Sequence, residues 1–278
     1  MCTITKQEIL KFEKYLYNEE KAKATIEKYL FAIKQLSLFL RGRKISKALI
    51  LEYRNQLLLK RKAQTVNGAV SAINAYLEFS GLIEYKVKLL KVQRQAFAEE
   101  SRELSKEEYK RLLRTAQKRG NHRLYLLMLT LCGTGIRISE LKFITVEAVE
   151  CGRAEICLKG KNRVIMLPKG LKTKLQEYIK KEKLQRGYVF QTKGGNPLDR
   201  SNICHDMKKL CEEAQVNQCK VFPHNLRHLF ARTYYAIEKD LAHLADLLGH
   251  SRIETTRIYV AVSASKHEYM LQKMNLIL

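Results

Sequence analysis

Three kinds of side chain able to handle a phosphate lie close together near the end of this chain. They are His224-Asn225-Leu226-Arg227-His228, then Leu248-Gly249-His250, then Tyr259. Histidine gives or accepts a proton near neutral pH. Arginine can hold two phosphate oxygens at once. Tyrosine supplies a hydroxyl that can attack phosphorus. The chain has 278 residues and a formal net charge of +24, a field that attracts polyanions. Residues 1–92 carry 18 basic and 8 acidic side chains, and the remainder 34 and 20, so the charge is not confined to one tail. A basic surface alone also suits anionic membranes. Its spread over two folded-looking parts favours nucleic acid, and the site an enzyme acting on it.

These residues need elements to position them. Pro223 suits the first turn of a helix. On that helix His224 and Arg227 are i, i+3 neighbours, and His228 falls at i+4 from His224. Asp240–Leu248 reads as a helix stopped by Gly249. Ser251-Arg252-Ile253-Glu254 fits a capping box, in which a Ser and a Glu three residues on satisfy each other's backbone amides. His250 is then expected in the turn between two helices, and Tyr259 about two turns along the second.

The remainder reads as two parts. In residues 1–85, apolar residues recur at helical spacing in four stretches: Lys6–Tyr17 (Ile9, Phe12, Leu16, Tyr17), Thr25–Leu40, Ser46–Leu59, and one from Thr65 stopped at Gly81. Residues 86–102 are charged and aperiodic and read as a linker. Ser105 and Glu108 then form another capping box. Leu124–Leu131 is apolar all round, hence a buried helix broken at Gly133-Thr134-Gly135, with Ile136–Phe143 able to begin a new one. Residues 153–158 and 163–167 are β-rich, and Lys159-Gly160-Lys161-Asn162 between them is a turn signature, so a hairpin is predicted. Leu171–Leu184 and Ser201–Ala214 are predicted helices.

Plainer chemistry competes with this reading. His224 and His228 at i, i+4 could ligate zinc, but no H-E-x-x-H and no third ligand is evident. Gly133-Thr134-Gly135-Ile136-Arg137 lacks the Gly-Lys-Ser/Thr of a phosphate loop. Neither a cofactor nor a metal is expected. Seven cysteines, an odd number with no C-x-x-C, suggest reduced thiols in a cytosolic compartment. The start, MCTITKQEILKFEK, has no apolar signal-peptide region. The longest apolar stretch, Leu124–Cys132, is too short to cross a bilayer.

The ordered set is more specific than its parts. Thr134-Gly135-Ile136-Arg137-Ile138-Ser139-Glu140-Leu141, Lys159, His224-x-x-Arg227-His228, Leu248-Gly249-His250-Ser251 and Tyr259 resemble the tyrosine recombinase (phage integrase) family, its compact Xer-like members above all. The motifs span roughly residues 103–260. The resemblance implies a mainly α fold with a small antiparallel β-sheet: an N-terminal four-helix SAM-like bundle (1–85) that binds core DNA, the linker (86–102) and a catalytic domain (103–278).

It also implies roles. Tyr259 would attack a DNA phosphodiester, leaving a 3′-phosphotyrosyl bond and a free 5′-hydroxyl. Arg137 and Arg227 would grip the non-bridging oxygens, where charge builds in the transition state. Lys159 would protonate the leaving oxygen, with Lys161 the alternative should the hairpin shift register. His224 would assist proton transfer at Tyr259, and His250 would hydrogen-bond the phosphate. Glu140 and His228 would support the site. The partners implied are double-stranded DNA and, on it, a homo-tetramer built from a chain that is monomeric or weakly associated when free. A related recombinase or accessory protein is a further partner, and no membrane is involved. A C-terminal helix at 265–278 would dock on a neighbouring protomer. The setting would be the cytoplasm of a bacterium, at the nucleoid. Two rivals stand beside this: a type IB topoisomerase, with the same chemistry and no synapse, and a non-catalytic DNA-binding protein.

Overall fold

The computed structural model describes residues 4–92, 102–158, 161–257, 259 and 272–274. The chain divides into two compact units, Met1–Arg94 and Gln95–Leu278.

The described residues of the first unit form four α-helices, α1 (Lys6–Asn18), α2 (Lys23–Leu40), α3 (Lys47–Lys60) and α4 (Ala63–Phe79), and a short 3-10 turn at Ile83–Tyr85. A capping box opens α1: Glu8 N–H donates to Thr5 Oγ1, and Thr5 N–H donates to Glu8. Ser46 caps α3 by accepting from Leu49 N–H. α2 is ended by Arg41 in the left-handed conformation, followed by Gly42 at φ +80°. Phe12, Leu16, Ile33, Leu36, Ile50, Val70, Ile73 and Tyr76 form the core. Tyr76 meets the Phe12 ring edge-on with centroids 5.2 Å apart. Tyr17, expected on the buried face, is instead exposed.

Residues 86–92, expected in the linker, belong to this unit. Val87 is buried in its core. Asn74 brackets Val87, donating to its carbonyl at 2.9 Å and accepting its N–H at 3.1 Å. Asn67, two turns earlier on α4, does the same for Leu90 at 2.9 and 2.8 Å. A side-chain amide offers a donor and an acceptor, so it can pair with extended backbone as a strand would. Residues 93–101 lie outside the described residues.

The second unit is built around α6 (His122–Thr134), packed between α5 (Lys106–Lys118), α8 (Lys169–Lys181) and α10 (Pro223–Glu238). Leu124, Leu126, Leu127, Met128 and Leu131 are all buried. The buried Thr130 and Thr134 hydroxyls donate to carbonyls four residues back, Leu126 O and Thr130 O, so no polar atom is stranded there. The helix runs through Gly133 and stops at Gly135, at φ +65°. The next stretch, Ile138–Phe143, winds as 3-10 helix rather than α. After α7 (Val146–Cys151) come β1 (Arg153–Leu158) and β2 (Lys161–Met166), an antiparallel pair with Arg153 opposite Met166 and Leu158 opposite Lys161. The hairpin is where it was expected, with β2 starting two residues earlier. α9 (Arg200–Lys208) is shorter than the expected 201–214. α11 (Leu241–Leu248) and α12 (Ile253–Arg257) complete the described helices. Among the described residues no helix is long and apolar enough to cross a membrane.

Candidate active site

α10 begins with Pro223 at its first position and places His224, Arg227 and His228 on its first turns. α11 is started by the Asp240 carboxylate, which accepts from Ala242 and His243 N–H, and is stopped by Gly249 at φ +63°. His250 therefore sits in the turn after α11, as expected. α12 opens at Ile253, one residue later than a Ser251 cap requires. Tyr259 lies just past it rather than two turns along a helix.

Arg227 is fully buried. Nη1 donates to Gly135 O at 2.6 Å, and Nη2 to Leu248 O at 2.7 Å. Nη2 also lies 2.9 Å from His250 Nε2. Each donor is charged and each partner carries a lone pair, which makes these strong hydrogen bonds. Gly135 is needed twice over: its φ is positive, and a Cβ there would sit 2.4 Å from the Phe230 ring. Burial, then the charge of Arg137, pulls the Arg227 pKa down to about 10, against the opposing charge and hydrogen bond of Tyr259. Arg227 still carries its charge at neutral pH, and it lies against the Tyr259 hydroxyl.

The tautomer of His250 follows from its partners. Arginine only donates, so Nε2 must accept from Arg227. Nδ1 must then carry the proton and donate to Thr256 Oγ1, 2.8 Å away. Burial, followed by the charge of Arg227, holds the His250 pKa down at about 4, so the ring is neutral. The ring expected to bind a phosphate thus has both nitrogens engaged. A phosphate bond at Nε2 requires Arg227 to let go and Nε2 to gain a proton, because phosphate oxygens only accept.

Tyr259 is 4% exposed. The His250 ring stacks on it with centroids 5.5 Å apart and planes 16° from parallel. His228 meets it edge-on at 4.5 Å, and His224 lies at 6.1 Å. His228, expected only in support, is the nearest of the three. Burial, then His224, pulls its pKa to about 3, and burial with Arg227 also lowers that of His224. The tyrosine is caged by neutral imidazoles beside a buried guanidinium.

Arg137 reaches the same place from the 3-10 segment. Its Nη1 donates to Glu140 Oε1 at 2.9 Å, and Nη2 to Gly249 O at 3.3 Å. The Arg137 backbone N–H donates to Glu140 Oε2 at 2.7 Å. Burial alone would raise the Glu140 pKa, but the Arg137 amide and the charges of Arg163 and Arg137 overcome it and hold the carboxylate ionised. Arg137, His224 and Arg227 line one open cleft with Ser139, Lys142 and Arg200. A cleft lined by that much positive charge suits a phosphate.

The structure thus brings together Arg137, Glu140, His224, Arg227, His228, His250 and Tyr259. Lys159 lies outside the described residues, and Lys161 is the first residue of β2. Two partners escaped sequence reasoning, the buried Thr256 and the largely buried Arg163. Thr256 carries no signal in a single sequence. Arg163 does: strand alternation puts it on the same face as Ile165, and an arginine on a strand's apolar face needs a reason. Among the described residues no three His, Cys, Asp or Glu side chains gather as a metal-binding set.

Comparison with known proteins gives the family and the fold. The family model "Phage integrase family" matches residues 102–266, more than half of the chain. Tyrosine recombinase XerA of Pyrococcus furiosus is 29% identical over 284 residues, covering 99% of this chain and 96% of its own. Two crystal structures show the same fold. XerH site-specific recombinase bound to its difH substrate has a TM-score of 0.72 at 20% identity, covering 96% of this chain and 84% of that one. A lambda integrase tetramer bound to a Holliday junction has a TM-score of 0.71 at 19% identity, covering 92% and 77%. The chain belongs to the phage integrase family, the tyrosine recombinases, enzymes that cleave and rejoin DNA.

Proposed function

We propose that this chain is a site-specific DNA recombinase in which Tyr259 is the nucleophile. The observation that carries this reading is the seat of Tyr259: buried, ringed by His224, His228 and His250, and against the charged Arg227. Attack by its hydroxyl on a DNA phosphorus forms a Tyr–O–P bond and breaks the P–O5′ bond. The strand is left with a 3′-phosphotyrosyl link and a 5′-hydroxyl. Arg137 and Arg227 stabilise the charge on the non-bridging oxygens. The neutral His224 accepts the tyrosine proton, and Lys159 supplies a proton to the leaving oxygen. His250 hydrogen-bonds the phosphate once Nε2 has released Arg227 and taken a proton, since phosphate oxygens only accept. Glu140 keeps Arg137 aimed, and His228 braces the tyrosine ring. The exchange of one phosphate ester for another conserves bond energy, so ligation needs no ATP.

The basic first unit supplies further DNA contacts. The predicted 265–278 helix, outside the described residues but for 272–274, docks on a neighbouring protomer. Four chains then assemble on two duplexes and resolve a Holliday junction, the substrate seen with the lambda integrase tetramer. The work takes place at the nucleoid, in the cytoplasm.

The test uses duplexes recovered from a randomised library by covalent capture on the protein. Two copies of a captured site, carried on separate labelled duplexes, are incubated with the chain. A recombinase gives four-way junctions and exchanged strands. Relaxation of supercoiled DNA with no exchanged strands would make the chain a topoisomerase instead.

A further inference from the structure

β2 alternates cleanly. Val164 and Met166 point outward and are exposed, whereas Ile165 is buried. Arg163 shares the inward face with Ile165, and its side chain is only 14% exposed. Burying a guanidinium is costly unless it is paired. Here the pairing is specific: Nη2 donates to Glu140 Oε2, and Nη1 to Leu247 O in the last turn of α11. The stem between them lies over Gly249, so closely that a Cβ there would come within 2.7 Å of Arg163 Cδ.

Each contact leads to a different part of the site. Glu140 gives Oε1 to the Arg137 guanidinium and Oε2 to both Arg163 and the Arg137 backbone N–H. Arg137 Nη2 then reaches Gly249 O, beside the backbone that Arg163 covers. Leu247 and Gly249 flank Leu248, whose carbonyl accepts from Arg227, and they lead directly into His250. One side chain from the hairpin, outside the residues lining the cleft, therefore ties down the carboxylate that aims Arg137 and the turn that carries His250.

We propose that Arg163 is a positioning residue for strand cleavage: it fixes the aim of Arg137 and the seat of His250 without touching the phosphate. A side chain fixing two groups from one fork holds their separation as well as their directions. The inference rests on the reading of Arg137 as the holder of a non-bridging phosphate oxygen.

The experiment follows single-turnover formation of the covalent adduct by the full chain, Arg163→Met and Arg163→Lys. Two duplexes carry the same captured site, one with an ordinary scissile phosphodiester and one with a methylphosphonate there. The methyl group removes the negative charge that Arg137 neutralises, so a misaimed Arg137 matters less. Arg163→Met is expected to slow cleavage of the ordinary duplex about 100-fold, and its penalty on the methylphosphonate to shrink below about 10-fold. Arg163→Lys keeps a charge near Glu140 but not the fork, so its loss is intermediate with the same dependence on the duplex. Equal penalties on the two duplexes, or no penalty, overturn the inference. Unfolding midpoints are recorded for both variants, and if Arg163→Met does not fold, the duplex comparison with Arg163→Lys decides. If the wild type forms no adduct on either duplex, the parent reading fails instead.

Discussion

The Arg227 guanidinium is buried with two nitrogens bound to backbone carbonyls, so replacing it alters the scaffold as well as the chemistry. Lysine would bring the charge but only one point of attachment. Arg227→Lys is expected to lose covalent adduct formation by about 100-fold or more, the scale of one lost transition-state donor. It should also lower the unfolding midpoint, which tells a scaffold effect from a purely chemical one. The histidines make a separate prediction about pH. Protonation of His228 and His250 is pushed down to about 3 and about 4, chiefly by burial. In an unfolded chain histidine protonates near about 6.5. Below that pH the unfolded state binds protons that the folded state refuses, so stability falls as pH drops from about 6.5 towards 4. Melting curves across that window should show the fall, and His228→Phe should flatten it. Thr256→Val removes the acceptor of the His250 Nδ1 proton. It is expected to cut the cleavage rate about 10-fold by loosening the seat of the His250 ring, an effect readable against an unchanged affinity for DNA.

At the scale of elements, what holds the site is where helices stop. Gly135 ends α6 and lends its carbonyl to Arg227; Gly249 ends α11 and lends its carbonyl to Arg137. Gly135→Ala combines a left-handed alanine with a collision against Phe230. It is expected to cost about 2–5 kcal/mol in denaturant titration, the sum of those two effects. The same elements show what a sequence can and cannot disclose. The Ser105 and Glu108 cap, the Pro223 start and the Asp240–Gly249 helix are local signals, and each stands where it was read. Their spacing was enough to place His224, Arg227 and His250. The helix stops within the Gly133-Thr134-Gly135 run as read, but that position 135 must be glycine depends also on Phe230, distant in sequence. The tautomer of His250 depends on Thr256 and Arg227 together. The nearness of His228 to Tyr259 joins residues 31 positions apart in the chain. These are tertiary facts, and no periodicity encodes them.

Over the whole molecule, the chain separates into two compact units, and the division after Arg94 falls within the 86–102 stretch, whose first residues pack on the first unit. Residues 86–92 are charged at the surface yet anchored through Val87 and two asparagines of α4. Asn67 and Asn74, spaced two helical turns apart, are the signal that a reading by charge overlooks. Asn74→Ala leaves the Val87 N–H and carbonyl without their partner. It is expected to cost about 1–2 kcal/mol of first-unit stability and to speed proteolysis after Lys86 and Lys88. The basic charge shared by both units makes binding to DNA steeply dependent on salt. Titrations at rising salt should weaken it across all sequences alike.

The most direct test of the central claim is the identity of the residue joined to DNA. The chain is incubated with a nicked duplex carrying a captured site, the adduct is digested with protease and nuclease, and the modified peptide is sequenced by mass spectrometry. A nucleotide 3′-phosphate on Tyr259, absent from Tyr259→Phe, is the predicted result. An adduct on any other residue, or an equal yield from Tyr259→Phe, would contradict it.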